Sequence, residues 1–409
     1  MALIVKKFGG SSVATPEKIK NIVNRVLRDT TPEDQVVVVV SAMGDTTDEL
    51  VALAKEVTTK PYGREMDMLL STGEQITIAL MAMAFKEVGH PAVSFTGPQA
   101  GIQTSDAHGK GRIITIDPKR VHEALDAGNI CIVAGFQGIT DAGDITTLGR
   151  GGSDTTAVAL AGAMNADVCE IFTDVDGVYS TDPRIDPNAK KIPEITYGEM
   201  LEMARLGAGV MQPRAVEMGS RYGVPIHVRS TFTNEEGTII KEEVGVEYKS
   251  AVVTGVADDD SAAKIALVGV ENKAGVAHQI FKALADQNIS VDMIVQSIRT
   301  GDEVRTDINF TISEDDVPQA TNVLNELRQT VDMEDVLIDT DVAKVSVVGA
   351  GMLGRPGVAA DMFGILGDQG INIEIISTSE ISITCLVAKD RVKDAVRAIH
   401  QCFLVEGRG

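Results

Sequence analysis

The sequence predicts an α/β fold, a three-layer sandwich with a largely parallel sheet, followed by two ferredoxin-like βαββαβ units. Three observations carry the prediction. Continuous β-branched runs, such as VVVVV at 36–40, suit strands covered on both faces. Segments of helical period separate those runs. The C-terminal part also repeats itself, with Gly275 aligning with Gly357, Phe281 with Phe363, Leu284 with Leu366 and Ile289 with Ile371.

The elements come in order. Leu3–Phe8 reads as a short strand. Thr15-Pro16 opens a helix, Thr as cap and Pro at the first helical position, and Ile19, Ile22, Val23 and Val26 give it one apolar face. Strands are expected at 36–43, 92–97, 131–138 and 168–177, with helices at 73–88 and 154–164 between them and a last strand ending at Ser230. Beyond about 245 each repeat reads strand, Gly-containing loop, helix, strand, strand and helix. Closing strands are expected at Val336–Ile338 in the first copy and Cys402–Val405 in the second. Units this small bury little surface alone, so the copies should pair with each other or with a second subunit.

Composition narrows the function. The chain has 409 residues, a net charge of -22, 39 Gly and no Trp. The acidity argues against a nucleic-acid binder, which needs a basic footprint, but a local pocket can still attract an anionic small molecule. Cys131, Cys169, Cys385 and Cys402 form no CxxC pair and read as buried thiols in a reducing compartment. No apolar stretch of membrane-spanning length and no signal peptide is expected, so the chain reads as cytoplasmic.

Two glycine-rich strand exits suggest phosphate binding. In KKFGGSS, Gly9 and Gly10 permit close backbone approach to an anion, and Lys7 can place a positive charge on it. The lysine precedes the glycines, so this is no Walker A motif. In GRGGSDTT, Gly151, Gly152 and Ser153 lie at a helix start, where free amides and the helix dipole favour an anion. Arg150 adds a fork suited to a carboxylate. Each stretch also reads as an ordinary βα turn or cap. TDVDGVYSTDPR at 173–184 is either a crevice-lining segment at a strand end or an Asp-Gly turn before a proline loop, with Asp174 and Asp176 alternating if the strand continues. Ser41, Thr47 and Glu74 lie near strand and helix ends, where they can take a small polar substrate. His108 and His122 read as structural.

Taken together, KFGGSS, SAMGDTTDEL, STGEQ, GFQG, LGRGGSDTTA, FTDVDGVYSTDPR and MQPRAVE, with the tandem repeat, resemble the aspartate kinase (aspartokinase) family, monofunctional type. The resemblance covers nearly the whole chain. It implies an amino-acid-kinase-like catalytic domain over 1–245 and two ACT regulatory domains over 246–340 and 341–409. It implies transfer of the ATP γ-phosphoryl group to the side-chain carboxylate of L-aspartate, with Mg²⁺ carried mainly on the nucleotide phosphates and no dedicated protein metal site. The product, 4-phospho-L-aspartate, would enter lysine, threonine, methionine and diaminopimelate synthesis.

By the same resemblance, Lys7 and Asp154 are the catalytic pair. Gly9, Gly10, Ser11 and Gly151–Ser153 hold phosphate. Arg150 takes the substrate α-carboxylate, and Glu74 with Thr47 and Ser41 takes the amino end. Thr173, Asp174, Tyr179, Asp182 and Arg184 match the nucleotide region. Effector contacts by lysine and/or threonine fall at Asn272, Gly275, Ala277, Asp292 and Gln296, and at Asn372, Ile373 and Ser379. A homo-oligomer formed through the ACT domains is implied, and in some relatives a separately translated regulatory subunit. Gln212, Ala359 and Ser382 depart from the residues common in relatives. The alternatives are a kinase for another amino-acid carboxylate and an inactive amino-acid-sensing scaffold.

Overall fold

The computed structural model describes residues 1–245, 252–299 and 304–407. It divides into two compact units. One comprises Met1–Val178, Lys191–Ala204 and Gly209–Tyr248, the other Tyr179–Lys190, Arg205–Ala208 and Lys249–Gly409. The boundary expected between 245 and 246 falls where the described residues stop.

The elements before residue 245 are β1 (Leu3–Phe8), α1 (Pro16–Arg28), β2 (Gln35–Val40), α2 (Thr46–Val57), α3 (Arg64–Leu70), α4 (Thr72–Glu87), β3 (Ala92–Phe95), β4 (Ile102–Thr104), β5 (Ile113–Ile116), α5 (Lys119–Asp126), β6 (Ile130–Ala134), β7 (Gln137–Ile139), β8 (Ile145–Thr147), α6 (Gly152–Ala163), β9 (Val168–Thr173), β10 (Glu194–Thr196), α7 (Tyr197–Arg205), α8 (Pro213–Tyr222), β11 (Ile226–Ser230) and β12 (Thr238–Lys241). The main sheet runs β10-β12-β11-β9-β1-β2-β6-β3. The six strands from β11 to β3 are mutually parallel.

Side chains alternate across β1, so Lys6 and Phe8 face one side and Val5 and Lys7 the other. On the first side, Ile19, Ile22, Val23 and Val26 of α1 and Ile78, Met81 and Phe85 of α4 pack with Phe8, Val38, Val40 and Ile132 into one core. Lys6 is accommodated there by an ion pair with Glu170, which also accepts from Arg229 Nη1 at 2.9 Å. Helix α6, buried nearly all round, covers the second side.

Three features depart from the expectations. The run 131–138 is not one strand, because the chain turns at Phe136, which lies in the left-handed region at φ 69°. Its second half joins a small sheet of order β5-β4-β7-β8. Strand β9 stops at Thr173, so the alternation of Asp174 and Asp176 does not arise. Finally, the helical stretch Arg64–Glu87 is, by length and composition alone, apolar enough to cross a membrane. Its burial of Ile78, Met81 and Phe85 in the sheet's core is that of a core helix.

The repeats fold as read, with one exchange. Strand β13 (Gly255–Asp259) comes first. The first copy then runs β14 (Ala262–Glu271), α9 (Val276–Asp286), β15 (Asp292–Arg299), β16 (Arg305–Ser313), α10 (Val317–Leu327) and β17 (Asp335–Asp339), in sheet order β15-β16-β14-β17. The second runs β18 (Val342–Val348), α11 (Val358–Asp368), β19 (Ile375–Thr378), β20 (Ser382–Ala388) and α12 (Val392–His400), in sheet order β13-β18-β20-β19. Cys402–Val405 is therefore not the closing strand. No Gly or Pro separates it from α12, and the chain continues winding as a π-helical turn over Gln401–Val405. Phe403 drops into the second copy's core. Strand β13 takes the vacant edge, antiparallel to β18. The copies are joined by Lys344–Asp292 at 2.9 Å, by a Lys264–Glu374 pair, and by an apolar cluster of Met293, Val342, Ile375 and Leu386. Among the described residues no cysteine is in a disulfide, and burial pushes the Cys131 and Cys385 thiols up to about 12.

Candidate active site

In an open parallel sheet the strand ends converge at one edge, where helices begin and ligands bind. Five predicted segments meet there. Strand β1 ends in Gly9-Gly10, beside the end of β2. Gly44 N donates to Gly10 O at 3.1 Å, and a Cβ on Gly10 would lie 3.1 Å from Ala42 O. Helix α4 starts against the same turn, where Gly73 leaves no room for a Cβ beside Ala42. The end of β6 abuts α6, with Gly135 directly under Ser153.

Lys7 and Asp154 come together from β1 and the first turn of α6. Lys7 Nζ lies 2.5 Å from Asp154 Oδ1, and both side chains are nearly buried. Gly9 borders the ammonium, 3.5 Å from its own would-be Cβ. The cap of α6 is Gly151, in the left-handed region at φ 67° and pressed against Gln212 so closely that no side chain fits. Ser153 and Asp154 occupy the first turn, where helix geometry supplies no acceptor for the backbone amides. A fixed ammonium beside a helix start has the charge and the free amides that suit an anion.

Glu74 is 3% exposed. Its Oε1 accepts the Ala42 amide at 3.0 Å. Its Oε2 is buried without a hydrogen-bond partner. Burial pushes the carboxyl up to about 7. A buried carboxylate with one oxygen unpartnered suits a cationic ligand group. Ser41 sits next to Ala42, Thr47 lies in the first turn of α2, and Arg150 is exposed immediately before the Gly151 cap.

Other predicted residues stand apart. Ser11 is exposed, whereas Ser12 is buried and its hydroxyl bonds Thr231 Oγ1 at 2.7 Å. Thr173 bonds Asp174 through its hydroxyl at 3.0 Å in the first unit. Tyr179, Asp182 and Arg184 belong to the second unit, where Arg184 is bidentate on Asp182 at 2.7–3.0 Å. Asn272, Gly275 and Ala277 lie exposed at the start of α9, with Gly275 left-handed at φ 95°. Asp292 is engaged by Lys344, and Gln296 is exposed on β15. In the second copy Asn372 and Ser379 are exposed, Ser379 with its hydroxyl 2.8 Å from Ser382 Oγ. Ile373 lines a cleft of about 360 Å³ with Lys264, Val295, Asn309 and Glu374–Ile376. The sequence motifs did not reveal the Ala42 amide, Ser12, Thr231 or Phe136; only GFQG hinted at Phe136, by interrupting an apolar run with glycine.

Residues 2–230 match the amino acid kinase family, and 265–327 and 345–403 match the ACT domain. The chain is 50% identical to the aspartokinase of Corynebacterium glutamicum over 411 aligned residues, covering 100% of this chain and 97% of the relative. The chain belongs to the aspartokinase family. An aspartokinase is a kinase, and this fold is shared with E. coli aspartokinase III. Its structure in complex with aspartate and ADP (R-state) matches at a TM-score of 0.81 and 26% identity, over 97% of this chain and 99% of that one. Its complex with lysine and aspartate (T-state) matches at 0.73 and 27%, over 97% and 98%. The aspartokinase resemblance read from KFGGSS, STGEQ and GRGGSDTT, and the fold class of parallel α/β domain plus ACT pair, therefore hold.

Among the described residues no group of three or more His, Cys, Asp and Glu is placed to hold a metal ion. Asp154, the acidic group in the first turn of α6, is engaged by Lys7. Among the described residues, the acidic groups at this sheet edge do not build a protein-held metal centre.

Proposed function

We propose that this aspartokinase transfers the γ-phosphoryl group of ATP to the side-chain carboxylate of L-aspartate, giving 4-phospho-L-aspartate and ADP. The observation that carries the reading is the Lys7–Asp154 pair at the first turn of α6, with the unpartnered carboxylate oxygen of Glu74 at the same sheet edge. A carboxylate oxygen of the substrate forms a bond to Pγ while the bond from Pγ to the β,γ-bridging oxygen breaks, and the electron pair leaves on ADP. The nucleophile is already ionised at neutral pH, so no general base is required. Orientation and charge neutralisation carry the reaction.

In this reading Lys7 neutralises the transferring group, oriented by Asp154. Gly9, Gly10, Ser11 and Gly151–Ser153 cradle phosphate oxygens. Arg150 pairs with the substrate α-carboxylate, while Glu74, with Ser41 and Thr47, receives the ammonium. Thr173, Asp174, Tyr179, Asp182 and Arg184 serve the nucleotide. Mg²⁺, bound to the phosphates, would supply further charge neutralisation. The catalytic domain is assigned to 1–245 and the regulatory domains to 246–340 and 341–409, with β13 lent from the first to the second.

The ACT pair is the seat of feedback by lysine and/or threonine, through the α9 loop residues Asn272, Gly275 and Ala277, with Asp292, Gln296, Asn372, Ile373 and Ser379. The lysine-bound E. coli relative supports an amino-acid effector. The enzyme works in the cytoplasm as a homo-oligomer at the first step towards lysine, threonine, methionine and diaminopimelate.

Hydroxylamine trapping of acyl phosphate tests the reading, with L-aspartate or L-glutamate as acceptor and lysine, threonine or both present. Hydroxamate from aspartate, suppressed by an effector, is expected. No hydroxamate from either acceptor in folded protein would overturn it in favour of a sensing scaffold.

A further inference from the structure

We propose that Asp67 is a positioning residue for this reaction: its buried carboxylate fixes the backbone that presents Arg150, and so sets the affinity for aspartate and the preference for it over glutamate. The inference rests on the proposed pairing of Arg150 with the substrate α-carboxylate.

Asp67 lies on α3 and is 1% exposed. A carboxylate at that depth is unfavourable unless donors replace its water. Asp67 has donors from two separate segments. Thr147 Oγ1 donates to Oδ1 at 2.6 Å. Gly109 N lies 3.0 Å from both oxygens, and His108 Nδ1 lies 2.9 Å from Oδ2. The two segments are also bonded directly, Gly111 N to Thr147 O at 2.8 Å.

From Thr147 the chain runs directly towards the site. Leu148 N donates to Phe136 O at 2.9 Å, and Arg214 Nη1 donates to Leu148 O at 3.1 Å. Gly149 then turns left-handed at φ 78°, against Gly109 O, which would lie 3.2 Å from a Cβ there. Gly152 N donates to Gly149 O at 3.0 Å, closing the turn that contains Arg150. Asp67 thus holds both Thr147, where this segment begins, and Gly109, on which its Gly149 corner rests. An apolar residue would fill the same space without a desolvation cost, but it would not orient donors from two segments.

The test is steady-state kinetics of the full-length enzyme with Asp67→Asn, Thr147→Val and Thr147→Ser. The first two should raise the aspartate KM by about ten- to a hundredfold, with kcat and the ATP KM changed by less than about threefold. Thr147→Ser keeps the hydroxyl and should keep the wild-type KM. The aspartate-over-glutamate ratio of kcat/KM should fall in Asp67→Asn. If that variant does not fold, Thr147→Val decides. An unchanged aspartate KM in folded variants of a wild type that does phosphorylate aspartate overturns this inference alone. Loss of kcat without a change in KM does the same. No turnover by the wild type overturns the proposed function along with it.

Discussion

Lys7 Nζ and Asp154 Oδ1 are 2.5 Å apart, one side chain from the central strand and the other from the first turn of the helix covering it. The pair brings two glycine-rich turns distant in sequence to one point. Removing the ammonium should remove charge compensation for the transferring phosphoryl group, and it leaves the Asp154 carboxylate without its partner, so turnover is read on a variant that is shown to be folded. Lys7→Ala should lower kcat by about two to three powers of ten, measured as hydroxamate formation. Turnover within a few-fold of wild type would remove Lys7 from the mechanism.

Glu74 should give the reaction a pH dependence in its aspartate KM. Its carboxyl is raised by burial to about 7, and an ammonium ligand requires the ionised form. Aspartate KM should fall as pH rises through about 7, and the profile should flatten in Glu74→Gln. The sign for folding is opposite. A carboxyl whose folded pKa exceeds its unfolded value favours the folded state at low pH, and that contribution is lost as pH rises from the ordinary carboxylate range to about 7. Denaturant titrations of wild type and Glu74→Gln across that window check this second sign.

Arg150 should act on binding more than on chemistry. Arg150→Ala should raise the aspartate KM by at least about tenfold, as loss of a charge-assisted bidentate contact would, and leave the ATP KM near wild type. Initial rates over both substrate concentrations separate the two. A mutant with reduced kcat and unchanged aspartate KM would contradict the assignment.

Much of this was legible in the sequence. Continuous apolar runs and helical periods located the parallel sheet and its helices. The glycines at 9, 10, 151 and 152 located the sheet edge where Lys7 and Asp154 meet. What was not legible depends on contacts between distant segments. The exchange of β13 for Cys402–Val405 could not be read, because CFLV has strand composition and only its continuity with α12 winds it further. Ser12, not singled out by the motif, is buried with its hydroxyl against Thr231, a partner more than two hundred residues away. Glu74 reads as a first-turn acid until its partner, a main-chain amide at Ala42, is seen. Asp67, one acid among many in an acidic chain, becomes distinctive only through the donors around it.

His400 offers a test confined to the second unit. Its buried imidazole bonds Asp186 Oδ2 at 2.7 Å through Nδ1 and lies 2.9 Å from Ser180 Oγ through Nε2. It thereby ties α12 to the Tyr179–Lys190 segment. His400→Ala leaves two buried polar groups without that partner and should destabilise this unit by about 2–4 kcal/mol. Denaturant unfolding should show the loss, and an unchanged midpoint would contradict the tie.

The most direct test of the central claim traces the oxygen atom. Aspartate labelled with ¹⁸O in its side-chain carboxylate is incubated with enzyme, Mg²⁺ and ATP, and the product is cleaved with hydroxylamine at the acyl carbon. The bridging oxygen then leaves with phosphate, so the ³¹P NMR spectrum of the released phosphate should show the ¹⁸O isotope shift. Consumption of ATP with unlabelled phosphate would mean that water, not the aspartate carboxylate, attacks the phosphoryl group at this site, and the account would be wrong.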